Sequence, residues 1–317
     1  METVKQIEGR RCRLSYSIDL KFEPVHEFMN SLHSYICRKS HKKIDLAPCW
    51  AQETKESLTP EFARTLDDML VNGDWRFAYL LAFLVPEGLG VDGFLIWLEH
   101  LSTHDLIELY ATNGNEFPQE EIESFRNRIL AMFQQWNEQY FKDVDPAILH
   151  ALEQEKEARL SQLSDNSGEA FVDETTNGML FKPLPGINEL LLVPQYHFQP
   201  LNIVNQYGNQ IICHYNARIY LGDKDLIPTH DLRLLRSLGE KNRLKILRFL
   251  HQGPRTFTEI VGHLKISKGI THDHISKLRS AGVLYAHFEG ENLTEYSLRN
   301  RALNQLQDRL FRYIEAE

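Results

Sequence analysis

The chain has 317 residues, 42% hydrophobic and 25% charged, which is enough to bury a large core and to form two or three domains. Its net charge of -9 argues at first against nucleic acid, but the balance is uneven along the chain. No apolar run approaches the roughly eighteen residues that span a bilayer.

Residues 228–317 hold fifteen Lys or Arg against ten Asp or Glu, a balance of +5. That leaves 20 basic and 34 acidic residues, a balance of -14, for residues 1–227. An acidic body carrying a basic module must be read segment by segment. Phosphate responds to nearby positive charge, and a distant acidic surface is screened over about 8 Å at physiological salt. The richest apolar stretch, Trp75 to Val85, is stopped by Pro86, and Met-Glu-Thr-Val-Lys lacks the pattern of a signal peptide. A cytoplasmic location is expected, with no membrane partner. Cys12, Cys37, Cys49 and Cys213 form no C-x-x-C pair and are expected to be free, mostly buried thiols.

In chain order, Arg13 to Leu20 alternates as a strand would, and Pro24 to Cys37 carries apolar residues at helical spacing. Thr59-Pro60 opens a helix, with Thr59 as N-cap and Pro60 at the first helical position. Ile122, Phe125, Ile129, Met132, Phe133 and Trp136 keep the helical rhythm, and Pro146 to Leu163 reads as a surface helix. Residues 164–168 are a loop by composition, and 171–222 form a β-rich sub-region. Its strands are expected at Glu189–Val193, Gln210–Tyr215 and Arg218–Leu221, with a turn over Asn205–Asn209.

From Pro228 onward the pattern is short and specific. Asp231–Leu238 and Lys241–Leu250 read as helices, stopped by Gly239 and by Gly253-Pro254. Thr256-Phe-Thr-Glu259 is a capping box opening a helix to Leu264, and Ser267 caps the next, which runs to Ala281. On the wheel of that helix Ile270, His274, Leu278 and Ala281 fall together with Ile275 at the edge. Gly269, His272, Ser276 and Arg279 lie opposite, flanked by Lys268 and Lys277. Two strands, Val283–Phe288 and Leu293–Leu298, flank a turn at Glu289-Gly-Glu-Asn292, and Asn300–Ile314 forms a closing amphipathic helix.

Leu235–Leu250, Leu278-Arg-Ser-Ala-Gly-Val283, Phe288-Glu-Gly-Glu and Tyr296-Ser-Leu, in that order, resemble the ArsR-like winged helix-turn-helix repressors over residues 230–300. The long N-terminal region also resembles a subgroup of these regulators. The elements read along the chain, with this module at the end, give an α+β, mostly helical chain. A helix-rich regulatory or dimerisation region (1–227) would precede a winged DNA-binding domain (228–317). The resemblance implies a homodimeric transcriptional regulator, a repressor binding double-stranded operator DNA, with dimerisation or small-molecule effector sensing assigned to the N-terminal region. DNA contacts are carried over to Ser267, Lys268, Thr271, His272, Ser276, Lys277 and Arg279. The family's Ser-x-His-Leu histidine falls at His274, where packing or phosphate orientation outweighs base reading, and the family's Ser is His272 here. The acidic turn at Glu289 and Glu291 would repel phosphate. The competing reading is a winged helix that grips protein.

No metal site is expected. The family's Cys-x-Cys sensor falls where Glu259–Leu264 has no cysteine, and the last helix has Asp308 but no histidine. Neither a cofactor nor catalysis is expected. Gly88-Leu-Gly-Val-Asp-Gly93 lacks the strand that a dinucleotide loop requires and reads as a turn. The aromatics between Trp75 and Trp97 read as core.

Overall fold

The computed structural model describes residues 16–114, 121–163, 168–221 and 227–315. Cys12 and the expected strand residues before Tyr16 lie outside the described residues.

Strand β1 (Ser17–Leu20) leads into α1 (Pro24–Ile36), whose Pro24 sits at the first turn, where its missing N–H costs nothing. A helical layer follows: α2 (Trp50–Ser57), α3 (Pro60–Asp67), α4 (Gly73–Leu84), α5 (Gly90–His100), α6 (Thr103–Thr112) and α7 (Ile122–Gln139). The α3 cap is as read, with Phe62 N–H donating to Thr59 Oγ1. Phe28, Phe94, Phe133 and Trp136 are fully enclosed in this layer, and Trp136 Nε1 donates to Ser31 Oγ at 3.0 Å. Gly88 lies in the turn from α4 to α5, and Gly90 and Gly93 lie in the first turn of α5, so a helix and not a strand precedes them.

The surface helix α8 (Pro146–Leu163) and α9 (Gly168–Thr176) precede β2 (Met179–Phe181), β3 (Glu189–Gln195), β4 (Ile203–Tyr207) and β5 (Gln210–Asn216). The order in the first sheet is β1-β3-β5-β4. Its first three strands are parallel, and β4 is antiparallel to β5. Two expectations need correction here. Most of the expected turn 205–209 belongs to β4, and only Gly208-Asn209 reverses the chain, with Gly208 at φ 53. Arg218–Leu221 is not a strand, because Arg218 takes a left-handed φ of 57 that ends the pairing after Asn216.

The first sheet separates two cores. Ile212 and Val193 face the helical layer, while Leu190, Leu192, Ile211 and Cys213 face a second core. Of the three described thiols only Cys213 is buried; Cys37 is half-buried and Cys49 exposed, against the expectation of mostly buried cysteines.

The remaining elements are α10 (Thr229–Leu238), α11 (Lys241–Leu250), α12 (Phe257–Leu264), α13 (Lys268–Ser280), β6 (Leu284–Glu289), β7 (Asn292–Leu298), α14 (Asn300–Asn304) and α15 (Leu306–Ile314). The expected closing helix is broken at Gln305 into α14 and α15. Three helices, a β-hairpin and a bridge from Arg255 to Tyr296 make a winged helix-turn-helix, and the whole chain is α+β and mostly helical. The wing is not free. Strand β2 adds to β6 in parallel, matching Met179 to Ala286 and Phe181 to Phe288, so Ala286 and Phe288 join the second core of the N-terminal body.

Candidate nucleic-acid interface

The helix-turn-helix is built by local capping. Glu240 accepts from Arg243 N–H at the start of α11. Thr256 Oγ1 accepts from Glu259 N–H while Glu259 accepts from Thr256 N–H, the reciprocal box that satisfies two free helix donors. Lys265 adopts a left-handed φ of 55 at the end of α12, which reverses the chain into Ser267. Ser267 Oγ then accepts from Ile270 N–H and starts α13.

The buried stripe of α13 is Thr271, His274, Ile275 and Leu278, at spacings of three, one and three. Two expectations are therefore corrected, the wheel's placing of Ile270 and the DNA contact carried over to Thr271. Ile270 is 53% exposed although it is apolar, and Thr271 is fully enclosed, its hydroxyl donating to Ser267 O. Thr271 fastens the first turn of the helix from inside. His274 is buried as well and packs beside the cap of α11, its Nδ1 3.6 Å from Glu240 Oε2 with neither ring nitrogen hydrogen-bonded.

Ser267, Lys268 and Gly269 are exposed and, with Ile270, form an open N-terminal end. Lys277 is exposed and pairs with Asp273 at 2.7 Å. Ser276 and Arg279 face the N-terminal body instead, across a cavity of about 250 Å³ that Ser40, Lys43 and Leu201 also line; His272 lines the same cavity but stays exposed. Partial burial, with Lys43 and Arg279 beside it, lowers the pKa of His272. Burial likewise lowers that of Arg279, which is hydrogen-bonded to the Tyr296 hydroxyl. The expected face is therefore divided: its N-terminal end is open, and the body lies against its C-terminal half.

A second cavity of about 530 Å³ adjoins the first, where Lys277 and Ser276 meet Lys42, Lys43, Arg233 and Arg236. Neither lysine of the body figured in the sequence reading. The signal was present in Arg38-Lys-Ser-His-Lys-Lys43, four cations in six residues.

The acidic wing tip has partners in the body. Glu291 pairs with Arg76 at 2.9 Å and accepts from Gln206 N–H at 2.9 Å, and Lys182 bridges Glu289 and Glu295 at 2.9 and 3.0 Å. At the base of the wing Arg299 Nε donates to Asp173 at 2.6 Å, and both are buried. Among the described residues no group of three or more His, Cys, Asp or Glu side chains gathers as a metal site would require. None of their helices is long and apolar enough to cross a membrane.

Residues 240–286 match the family model described as bacterial regulatory protein, arsR family. Over 66 residues, 21% of this chain, the sequence is 36% identical to a probable mercury resistance operon repressor of Streptomyces lividans. That alignment covers 53% of the repressor, so the chain spans about half the length of the curated relative it matches. No solved structure matches the chain.

Proposed function

We propose that the protein is a DNA-binding transcriptional repressor that acts as a homodimer, with its N-terminal body modulating how the winged helix meets operator DNA. The observation that carries this reading is the open, Ser-capped N-terminal end of α13, set on a helix-turn-helix whose segment matches the ArsR family. In a winged helix this end enters the major groove. Ser267 and Lys268 would contact phosphate there, while His272 and Lys277 reach toward base edges and backbone. Ser276 and Arg279 flank that contact on the side of the body. Thr271 and His274 act from within by holding the helix in place. Since the wing tip is acidic and already paired, the wing supplies no positive charge to the DNA backbone. Dimerisation is assigned to α15, which leaves Leu310, Phe311 and Ile314 exposed on one short helix.

Fluorescence anisotropy on duplexes from upstream of the gene, titrated with salt beside a scrambled duplex, tests the proposal. Tight binding that prefers the native duplex and weakens steeply with salt is expected. The double variant Lys268→Ala, His272→Ala should lose about ten- to a hundredfold in affinity with an unchanged melting temperature. Full affinity in that variant would remove α13 from the interface. A second reading has its own observation: the wing already grips protein, namely the chain's own body. Salt-independent behaviour with no duplex preference would favour a protein-binding module.

A further inference from the structure

Behind α13, on the seam between the body and the winged helix, lies a cavity of about 330 Å³ with a strongly cationic wall. Arg218 comes from the end of the body's sheet, and Arg299, Arg301, Arg309 and Arg312 come from the segment after the wing. His230 enters from the start of α10. These guanidiniums are not equally committed. Arg299 is held by Asp173, Asn177 and Gly282 O, and Arg309 by Asp231 at 2.9 Å. Arg301 shares only a solvent-exposed pair with Glu174. Arg218 and Arg312 donate to neutral carbonyl oxygens, those of Glu174 and Asp308. Among the described residues neither has a carboxylate in ion-pair contact, and Glu155, the acid whose field reaches Arg218, is engaged by Arg159 at 2.8 Å.

Two further features point into the same space. Arg218 is held at a left-handed φ of 57, a conformation costly for a residue with a side chain and one that marks functional positions. The Nδ1 of His230 is buried and lacks a hydrogen-bond partner. The wall contains no lysine and little apolar surface, and its five arginines outnumber its two acids, Glu174 and Asp308, so it suits planar, two-pronged recognition of oxyanions rather than a hydrophobic guest.

We propose that this seam binds a small phosphorylated metabolite, about the size of a sugar phosphate, whose phosphate is held by Arg218, Arg301 and Arg312 with His230 as a further polar partner. Such a ligand touches the body and the winged helix together, so it binds the docked arrangement and adds nothing to a separated one. The docked arrangement keeps the C-terminal half of α13 against the body and hinders its entry into a groove. Occupancy therefore weakens DNA binding, by about tenfold when the ligand stands at ten times its Kd. This coupling, unlike the site itself, rests on the DNA-binding reading.

Isothermal titration of the full chain with sodium pyrophosphate, against sodium chloride at matched ionic strength, tests the site without DNA. Saturable binding is expected. Arg301→Gln and Arg312→Gln, on the exposed terminal helices, should each weaken it about fivefold or more with the melting temperature unchanged. Arg64→Gln, on the distant α3, should leave it unaltered. Heat that does not saturate through about 10 mM, or equal binding in all the variants, overturns the site. Saturable pyrophosphate binding that leaves the affinity for an otherwise well-bound duplex unchanged overturns the coupling. Failure of the ligand-free protein to bind any duplex tells against the DNA-binding reading, and the calorimetry then still decides the site.

Discussion

His33 accepts a hydrogen bond at Nδ1 from Trp75 Nε1 at 2.9 Å, and His26 accepts at Nδ1 from Glu23 N–H at 3.0 Å. Both rings are buried, and burial lowers their pKa values, to about 4 for His33 and about 3 for His26, where Lys21 adds to the effect. His214, enclosed beside Tyr79 and Phe83 with no partner for either nitrogen, shifts in the same direction. The folded values lie below the unfolded one, so the unfolded chain takes up more protons as pH falls. The stabilisation is complete above about pH 7 and is lost progressively below about 6.5. At about 1.4 kcal/mol per unit for each ring, His26 and His33 together should remove about 4 kcal/mol by pH 5. Urea midpoints at pH 7 and pH 5 measure this directly, and a flat profile would show that the rings are hydrated. His33→Gln, which keeps an acceptor for Trp75, should reduce the slope.

At the scale of elements, α9 and the base of the wing are joined by one buried ion pair. Asp173→Ala would strand Arg299 without its charge partner, and about 3 kcal/mol of stability should be lost in chemical denaturation. A loss under about 1 kcal/mol would mean that Asn177 and Gly282 O suffice to hold the guanidinium. How legible these elements were in the sequence depended on how local their causes are. The capping box at Thr256 and Glu259, the cap at Ser267 and the Gly290 turn each act within a few residues, and each could be read from the chain alone. The facing of α13 was harder, because a wheel ranks Ile270 above Thr271 by polarity. The hydroxyl of Thr271 is satisfied by Ser267 O, so its burial carries little penalty, and the i, i+3, i+4, i+7 geometry then exposes Ile270. Strand β2 lies in the sub-region read as β-rich but is not marked out there as a strand. Its three residues pair in parallel with a strand more than a hundred positions away, and the pairing cannot be deduced from its own pattern. The acidic wing tip was legible as an oddity, and Arg76 and Lys182 give its reason.

For the whole molecule, Pro228 marks a change in composition that need not be a seam in packing. Phe288, from the wing, stacks on Phe181 of the body with centroids 5.3 Å apart and is buried in the core that holds Leu190, Leu192 and Cys213. Removing its ring should cost about 3 kcal/mol, in line with other buried aromatic truncations. What matters is where the cost appears. All four tryptophans, Trp50, Trp75, Trp97 and Trp136, belong to residues 1–227, so their fluorescence reports only the body. If the wing is an integral layer of the body's second core, Phe288→Ala shifts the tryptophan-detected transition to lower denaturant, and it stays coincident with the loss of helical circular dichroism. If the winged helix unfolds on its own, the tryptophan transition stays put and a separate, earlier phase appears in the dichroism. The first outcome requires DNA to meet the winged helix with its wing still docked, on the open end of α13. The second would let the winged helix leave the body before it binds.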